Sequence, residues 1–582
     1  MKTIKILMRS LRENKKATVL SVVFVMLEAL CECILPFVMA RLIDNSGIEW
    51  SALLIYGAIL IALATFVLVC GLLSGKFSAK AAAGFSANLR EDMFVKIQNF
   101  SFTNIDKFSS SSLVTRLTTD ITNIQNAFSM MIRIAVRVPL MMIFSTVMAF
   151  VISPSLAWIF LVCIPVLGGI IVFIVYKSLP YMMRVFKKYD AVNNSVHENV
   201  KAIRVVKTYV REDYENKKFA KAADDVCNDF VKGEKLIAWN TPIMNFFMYA
   251  CYIVISVLGA FIITKQLHWG TLTTGELSSL ISYGISILSA LMMLAMIIVI
   301  ISMSAASAAR ISEVLQAESN IRSPENAVKE VKNGDVVFEN VNFKYSENAE
   351  NYVLENINLD IKSGETIGIL GGTGSSKTSL VNLISRLYDV SSGSVKVAGT
   401  DVRDYDTEVL RKQVAVVLQK NVLFSGTVAE NLRWGDINAI AEDLREVCRI
   451  AQADEFIQTF PDKYETYLEE GGMNLSGGQK QRLCIARALL RKPKILIFDD
   501  STSAVDTKTD ALIRKGLKDY MPQTTKIIIA QRVSSVQDAD KIIIMDNGKI
   551  NGIGTHEELL TTNEIYREIY ETQNKVGGNE NE

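Results

Sequence analysis

The sequence lacks an excess of either charge, and it lacks any cysteine pattern typical of metal binding. Its 62 basic and 61 acidic side chains leave a net charge of +1 over 582 residues. Without a strong field of one sign, nucleic acid and other highly charged partners are not expected. The 8 cysteines show no metal-ligand spacing and mostly fall in apolar segments. We therefore expect reduced, buried thiols.

A cleavage site for a secretory signal is also missing near the amino terminus. Basic residues dominate the first sixteen positions, and an apolar run then extends from Ala17 to about Met39. Because no small-residue cleavage site closes this run, it predicts a membrane span rather than a signal peptide. The basic flank predicts a cytoplasmic amino terminus. Residues 1–14 fit either an interfacial amphipathic helix or a solvated basic tail.

Hydrophobic residues make up 50% of the chain, and many of them are concentrated in long runs. These runs lie near residues 17–42, 51–74, 136–153, 155–177, 241–264 and 276–304. Each is long enough to cross a bilayer as a helix in contact with membrane lipid. Six spans leave both ends on one side. The long charged segments 75–135 and 178–240 are then expected to be cytoplasmic helical extensions.

The sequence becomes polar after the sixth run and then alternates helical stretches with short β-branched runs. This alternation predicts an α/β domain with a largely parallel sheet. We therefore expect three segments. They are an all-α transmembrane domain of six helices over residues 1–317, a linker over 318–332 and an α/β phosphate-loop domain over 333–582.

A glycine-rich loop follows the strand-like run 367–370. Its residues are Gly371, Gly372, Thr373, Gly374, Ser375, Ser376, Lys377, Thr378 and Ser379. A strand, a glycine loop and a helix in succession are typical of a nucleotide site. Backbone N–H groups hold the phosphates, Lys377 reaches the β- and γ-oxygens, and Thr378 binds Mg²⁺. Ser376 stands where the strict pattern has glycine.

Two further motifs follow the phosphate loop. Asp499 ends a buried strand-like run, where it is placed to hold Mg²⁺. The second motif, just ahead of that run, is Leu475, Ser476, Gly477, Gly478 and Gln479. A serine and two glycines at a helix start present a hydroxyl and N–H groups to an anion. An ordinary helix N-cap is the alternative interpretation of Ser476.

These motifs, in this order, resemble those of the ATP-binding cassette (ABC) family and cover essentially the whole chain. The chain looks like a multidrug-type exporter half-transporter with the type IV fold, which uses ATP and Mg²⁺. The resemblance implies that Tyr345 stacks on adenine and that Gln419 contacts Mg²⁺. It places Ser503 and Asp506 in a loop at the dimer interface. It also implies that the signature at residues 475–479 binds the γ-phosphate held by the other subunit.

The resemblance extends to coupling between the domains. Helical turns near residues 104–110 and 209–214 match the places where cytoplasmic loops of the family dock on nucleotide-binding domains. In a heterodimer, the second turn is expected to reach the partner subunit.

Two positions depart from the family pattern. Asp500 stands where the family has a catalytic glutamate, and Gln531 stands where it has a histidine. The shorter side chain of Asp500 withdraws its carboxylate by roughly 1.5 Å from the attacking water, and a misplacement of about 1 Å can cost a hundredfold in rate. Gln531 cannot become a cation. Both changes are expected to weaken the same hydrolytic step.

The resemblance and its departures together predict a transporter ATPase that works as half of a heterodimer. Its own ATP site is impaired, and its signature completes the competent site of a second half-transporter. The expected activity is export of hydrophobic or amphipathic small molecules across the cell membrane, with the nucleotide-binding domain in the cytoplasm. A lipid or peptide exporter, or an ATP-gated regulatory subunit with little hydrolysis, is the alternative.

Two carboxylates, Glu28 and Glu32, lie four residues apart in the first apolar run and thus on one helical face. Carboxylates within a bilayer are costly unless they face water or protein. These two fit a central cavity that attracts cationic, amphipathic substrates. The alternative is that this helix end projects into water on the outer side or that the two acids form ion pairs inside the protein.

Overall fold

The computed structural model describes residues 2–45, 50–264, 267, 269–347, 349–500 and 505–577. The chain divides into two compact units. The helical unit comprises Met1–Asn99 and Ser109–Ala317, and the α/β unit comprises Phe100–Phe108 and Glu318–Glu582. Each unit has a hydrophobic core of its own.

Long α-helices account for most of the helical unit. The helices from the amino terminus to Gln316 are α1 (Lys2–Leu7), α2 (Lys15–Asn45), α3 (Trp50–Gln98), α4 (Phe102–Phe108), α5 (Ser110–Thr115), α6 (Ile121–Ile152), α7 (Pro154–Lys201), α8 (Ile203–Thr208), α9 (Glu212–Ala238), α10 (Asn240–Ile263) and α11 (Thr274–Gln316). Of these, α4 belongs to the α/β unit. A 3₁₀ segment, Met8–Asn14, joins α1 to α2, and a π-helical turn, Arg116–Asp120, joins α5 to α6.

Six helical segments among the described residues are long and apolar enough to cross a membrane. They are Thr3–Asn45, Leu53–Gln98, Ser110–Ile152, Pro154–Val185, Glu212–Ile263 and Thr274–Ile298. Each overlaps one of the apolar runs, so the predicted six-helix domain is confirmed. Pro154 occupies the first position of α7, where its missing N–H breaks no helical bond. This allows a turn of one residue, Ser153, between the third and fourth segments.

The basic amino-terminal segment packs within the helical unit. Leu11 and Asn14 are buried. Arg12 forms ion pairs with Glu91, at 2.9 Å, and with Asp92, both on α3. The segment is therefore a packed element of the unit rather than a solvated tail.

Strands form three sheets in the described part of the α/β unit. The strands are β1 (Val336–Phe343), β2 (Leu354–Ile361), β3 (Thr366–Leu370), β4 (Ser392–Val397), β5 (Thr400–Asp401), β6 (Val414–Val417), β7 (Gly426–Thr427), β8 (Tyr467–Leu468), β9 (Ile495–Asp499), β10 (Thr525–Ile529), β11 (Lys541–Asp546) and β12 (Lys549–Gly554). The largest sheet has the order β12-β11-β3-β10-β9-β6, a second has the order β2-β1-β4-β5, and β7 pairs with β8.

Helices alternate with these strands along the chain. They are α12 (Lys377–Ile384), α13 (Thr407–Gln413), α14 (Val428–Arg433), α15 (Ala441–Ile450), α16 (Asp454–Gln458), α17 (Gly477–Leu489), α18 (Thr507–Tyr520), α19 (His556–Thr562) and α20 (Glu564–Gly577). The predicted α/β domain after the membrane helices is therefore confirmed.

The strands that carry the nucleotide motifs are parallel neighbours. Ile529 at the end of β10 lies opposite Asp499 of β9 on one side and opposite Ile369 of β3 on the other. Every residue of β9 and β10 is buried, as expected for strands covered on both faces. Because parallel strands end at the same edge of a sheet, the loops that follow them meet there.

Candidate nucleotide-binding site

Loops at the carboxyl edge of the largest sheet surround a cavity of about 520 Å³. The predicted site residues that line it are Gly371, Gly372, Thr373, Gly374, Ser376, Lys377, Thr378, Ser379, Gln419, Asp499, Asp500 and Gln531. The fold thus gathers the phosphate loop, two aspartates and two glutamines from distant parts of the sequence. Ser375, also part of the loop, is buried.

Three residues of the phosphate loop have left-handed backbone conformations. The φ angle is 152° at Gly371, 86° at Gly374 and 71° at Ser376. At Gly371 an added Cβ would lie 2.2 Å from the carbonyl oxygen of Met545, so glycine is required there. At Ser376 the side chain costs about 1 kcal/mol in this conformation. The serine is thus compatible with the loop but strained.

Lys377 folds back over the phosphate loop. Its Nζ donates to the carbonyl oxygens of Gly371, at 2.9 Å, and Gly372, at 2.8 Å, and to Ser375 Oγ at 3.1 Å. Burial lowers the pKa of Lys377, and neighbouring carboxylates oppose that effect. Lys377 is the first residue of α12. The N–H groups at the start of a helix can donate to phosphate oxygens.

Thr378 and Asp499 offer oxygen ligands suited to Mg²⁺. Thr378 Oγ1 donates to Asp499 Oδ1 at 2.8 Å, and burial raises the pKa of Asp499. Hydroxyl, carboxylate and amide oxygens are ligands that Mg²⁺ prefers, usually together with water and substrate phosphates. The described residues contain no group of three His, Cys, Asp or Glu side chains able to hold a metal alone. The donor set, with Gln419 in the same cavity, fits a cation shared with a bound triphosphate.

Two side-chain amides hold the carboxylate of Asp500. Gln531 Nε2 donates to Asp500 Oδ2 at 2.6 Å, and Gln419 Nε2 donates to the same oxygen at 3.3 Å. The φ angle of Asp500 is 47°, and its N–H donates to the carbonyl oxygen of Ile529 at 3.1 Å. One carboxylate oxygen is therefore engaged by the very residue that stands at the histidine position.

Gln573 of α20 supports this arrangement, although sequence patterns give no sign of it. Its Nε2 donates to the carbonyl oxygen of Gln531 at 2.8 Å, and its Oε1 accepts from the N–H of Val533 at 2.9 Å. These two bonds fix the backbone that carries Gln531. Because Gln573 lies about 40 residues further along the chain in a surface helix, no local motif predicts the contact.

Tyr345 lies beside the helix that follows the phosphate loop. Its Oη is 2.8 Å from Ser379 Oγ, and either hydroxyl can be the donor. The residue is 43% exposed. An aromatic ring with a fixed hydroxyl and an accessible surface is suited to stacking on a base.

The Leu475 to Gln479 motif forms the start of α17. Ser476 Oγ accepts from the N–H of Gln479 at 3.3 Å, and Gln479 Oε1 accepts from the N–H of Ser476 at 2.9 Å. These two bonds form a capping box. Ser476 is therefore the N-cap of α17, in agreement with the alternative interpretation of this residue. A hydroxyl that accepts one bond still has a proton to donate, and Ser476 and Gly477 are exposed. The motif does not line the cavity described above.

The predicted interface loop is described only in part. Asp506 caps α18 by accepting from the N–H of Thr509 at 2.9 Å, and these backbone bonds lower the pKa of Asp506. Ser503 lies outside the described residues.

Two family models match the chain. The ABC transporter transmembrane region matches residues 18–291, and the ABC transporter domain matches residues 354–503. The chain belongs to the ABC transporter family. It therefore combines transmembrane helices and an ATP-binding domain in one polypeptide.

Relatives of this ABC transporter align over most of its length. "Uncharacterized ABC transporter ATP-binding protein YfiB" of Bacillus subtilis (strain 168) is 35% identical over 95% of this chain and 96% of that protein. "Putative multidrug export ATP-binding/permease protein YgaD" of the same strain is 31% identical over 86% of this chain and 85% of that protein.

A solved structure shares the fold of this ABC transporter. It is a bacterial Atm1-family ABC exporter with ATP bound, with a TM-score of 0.84 and 22% sequence identity. The similarity covers 96% of this chain and 99% of that one. At this level of identity the match establishes the exporter fold alone.

Within the membrane helices of this transporter, Arg137 of α6 pairs with both predicted carboxylates of α2. Arg137 Nη1 lies 3.1 Å from Glu28 Oε1, and Nη2 lies 2.6 Å from Glu32 Oε2. The Glu28 side chain is 8% exposed, whereas Arg137 and Glu32 are each 34% exposed. Ion pairing inside the protein, one of the alternatives for these carboxylates, is therefore present. The sequence pattern indicates the two acids but does not identify Arg137 as their partner. A cation within the third apolar run is nevertheless a signal of a functional or paired residue.

Substitutions at Ser376 test the strained loop. We expect Ser376→Gly to stabilise the ATP-binding domain by about 1 kcal/mol, because glycine adopts the left-handed conformation without penalty. We expect Ser376→Val to weaken ATP binding by about tenfold, because a β-branched residue is an outlier there. Thermal unfolding and titration with a fluorescent ATP analogue measure the two effects. Equal affinity in both variants would contradict the strained conformation.

Neutralisation of Arg137 tests the ion pairs in the membrane helices. We expect Arg137→Met to destabilise the protein by about 2 kcal/mol, less than for a fully buried pair because a third of Arg137 is exposed. Adding Glu28→Gln and Glu32→Gln should restore most of the loss, because no uncompensated charge then remains. Thermal unfolding in detergent measures both variants. A triple variant as unstable as Arg137→Met alone would contradict a charge-based effect.

Proposed function

We propose that this chain is one half of a heterodimeric ABC exporter that moves hydrophobic or amphipathic small molecules across the cytoplasmic membrane. Its own phosphate loop binds Mg²⁺ and ATP but hydrolyses ATP poorly. Its signature at residues 475–479 completes the competent ATP site of a second half-transporter. Catalysis in the complex is then dominated by the partner's site.

The contact between Gln531 and Asp500 is the observation that carries the proposal. A general base must reach the water that attacks the γ-phosphate, and efficiency depends on both distance and pKa. Asp500 is one methylene shorter than glutamate, and one of its oxygens accepts from Gln531 at 2.6 Å and from Gln419 at 3.3 Å. Substitution at both catalytic positions of the same site, next to an intact phosphate loop, favours retained binding over hydrolysis.

The intact signature supports the heterodimer. Ser476 retains an exposed hydroxyl at the start of a helix of 13 residues, which is a favourable place for a phosphate. A chain that had lost all ATP chemistry would have no need of this arrangement. The heterodimer gives the signature a function, because the γ-phosphate that it contacts is bound by the other subunit.

Orientation and substrate class complete the proposal. The basic residues ahead of α2 favour a cytoplasmic amino terminus and, with six spans, a cytoplasmic ATP-binding domain. The name of the relative YgaD includes multidrug export, which favours hydrophobic or amphipathic substrates. Glu28 and Glu32 are acidic side chains within the membrane helices, and the Glu32 side chain is 34% exposed, which favours cationic members of that class.

Paired substitutions at Ser476 separate phosphate contact from helix capping. Both Ser476→Ala and Ser476→Asp should lower the ATPase rate of the purified complex by about a hundredfold, since each removes a donor to the γ-phosphate. Aspartate caps a helix as well as serine does, so only the alanine variant should lose thermal stability. Phosphate release and thermal unfolding are the two measurements.

Asp500→Asn is the matched control for these variants. It should lower the ATPase rate of the same complex by less than about twofold, because the partner's site performs the turnover. A loss as large as that of Ser476→Ala would contradict the assignment of catalysis to the partner. Full activity in Ser476→Asp would contradict phosphate contact by the signature.

Restoring the family residues tests the impaired site directly. In a complex whose partner glutamate is changed to glutamine, Asp500→Glu with Gln531→His should raise the hydrolysis rate by about a hundredfold over the parent. Asp500→Glu alone should raise it less, because Gln531 still binds the carboxylate. Phosphate release measures all three proteins. Brisk hydrolysis by the parent, before either change, would contradict an impaired site.

A further inference from the structure

An aromatic cluster extends from the candidate adenine contact to helix α4. Tyr345 packs edge to face on Tyr388, with ring centroids 5.0 Å apart, and on Phe343, at 4.8 Å. Phe343 and Tyr388 also contact each other at 5.7 Å, and Phe102 of α4 lies 6.0 Å from Tyr388. All four residues belong to the α/β unit. Ring pairs of this kind prefer a defined mutual orientation.

The hydroxyl of Tyr388 anchors α4. Tyr388 Oη donates to Asp106 Oδ2 at 2.8 Å. Burial raises the pKa of Tyr388, and a tyrosine hydroxyl that faces a carboxylate is the donor of the bond. A second anchor lies on the same helix, where Asn104 Nδ2 donates to the carbonyl oxygen of Glu318 at 3.1 Å. The helix is therefore attached to the α/β unit through specific polar bonds.

Hydrogen bonds from two buried or partly buried arginines stabilise the loop that carries Tyr388. Arg386 is 5% exposed, and its Nε donates to Asp389 Oδ1 at 2.9 Å. Arg411 Nη2 donates to the carbonyl oxygen of Arg386 at 2.8 Å. The loop follows directly on α12, whose first residue is Lys377. Tyr388 thus lies in a loop that these hydrogen bonds stabilise and that begins where α12 ends.

We propose that Tyr388 is a positioning residue that transmits occupancy of the adenine site to α4. A base stacked on Tyr345 restricts the exposed ring of Tyr345 against the edge of Tyr388, and Tyr388 in turn holds Asp106. The inference rests on the adenine contact of the proposed function. Because the path starts at the base, a triphosphate without a base fills the phosphate loop but does not stabilise α4.

Hydrogen exchange of the full-length chain in lipid nanodiscs tests the path. Mg²⁺ with ATP should slow amide exchange of the peptide that covers residues 100–108 by at least about threefold, whereas Mg²⁺ with inorganic tripolyphosphate should not. In Tyr388→Phe, which keeps the ring, ATP affinity should stay within about twofold and the slowing should be lost. Retained slowing in Tyr388→Phe, or equal slowing by tripolyphosphate, would overturn the proposal.

Two variants of Asp106 give an independent test that leaves the cluster of rings intact. Asp106→Asn keeps an acceptor oxygen for Tyr388, so the slowing by ATP should be retained, whereas Asp106→Ala should lose it. The same exchange measurement compares them. Identical behaviour of the two variants would overturn the role of the Tyr388 hydroxyl, even if Tyr388→Phe failed to fold.

Tyr345→Ala separates failure of this inference from failure of the proposed adenine contact. It should weaken ATP binding by about tenfold and leave tripolyphosphate binding unchanged, because only stacking on the base is removed. Unchanged ATP affinity would mean that the adenine contact is wrong. Weakened ATP affinity together with normal slowing in Tyr388→Phe would mean that only the path to α4 is wrong.

Discussion

Parallel pairing of β3, β10 and β9 is the constraint on which the nucleotide site depends. Ile529 lies between Asp499 and Ile369 across the three strands, so the phosphate loop, the two aspartates and the segment with Gln531 start from one edge. Every residue of β9 and β10 is buried, as expected for parallel strands covered on both faces. The chemistry of the site is then decided by the few side chains that project from that edge.

One of those side chains, the carboxylate of Asp500, is bound within the protein. Gln531 and Gln419 donate to the same oxygen, and Gln573 fixes the backbone behind Gln531. In the proposed function, phosphate and metal binding depend on other groups, Lys377, Thr378 and Asp499, which keep the residue types that the family pattern has. On this proposal, nucleotide binding and hydrolysis are separable, because different residues serve them. The signature at residues 475–479 does not line the cavity of its own chain. The proposed contact with a partner's nucleotide is consistent with that position.

Much of this was predictable from the sequence, because it depends on local patterns. Apolar runs predict the six membrane helices, β-branched runs predict the parallel strands, and the glycine spacing predicts the phosphate loop. The contacts that refine the site depend on tertiary structure instead. Neither the bond from Gln531 to Asp500 nor the brace from Gln573 has a local signature, and the pairing of Arg137 with Glu28 and Glu32 joins helices about 105 residues apart. In the sequence, Ser376 is only a departure from the glycine of the motif. Its φ angle of 71° shows that the serine adopts a left-handed backbone conformation, which is the source of the strain.

Photolabelling of the active complex with 8-azido-ATP tests most directly whether this chain holds ATP without hydrolysing it. Label in the α-phosphate reports any bound nucleotide, whereas label in the γ-phosphate reports only intact triphosphate. After several turnovers, both labels should be retained on this chain in equal amount, and the partner should lose the γ-label. Loss of the γ-label from this chain at the rate of overall turnover would contradict an impaired site.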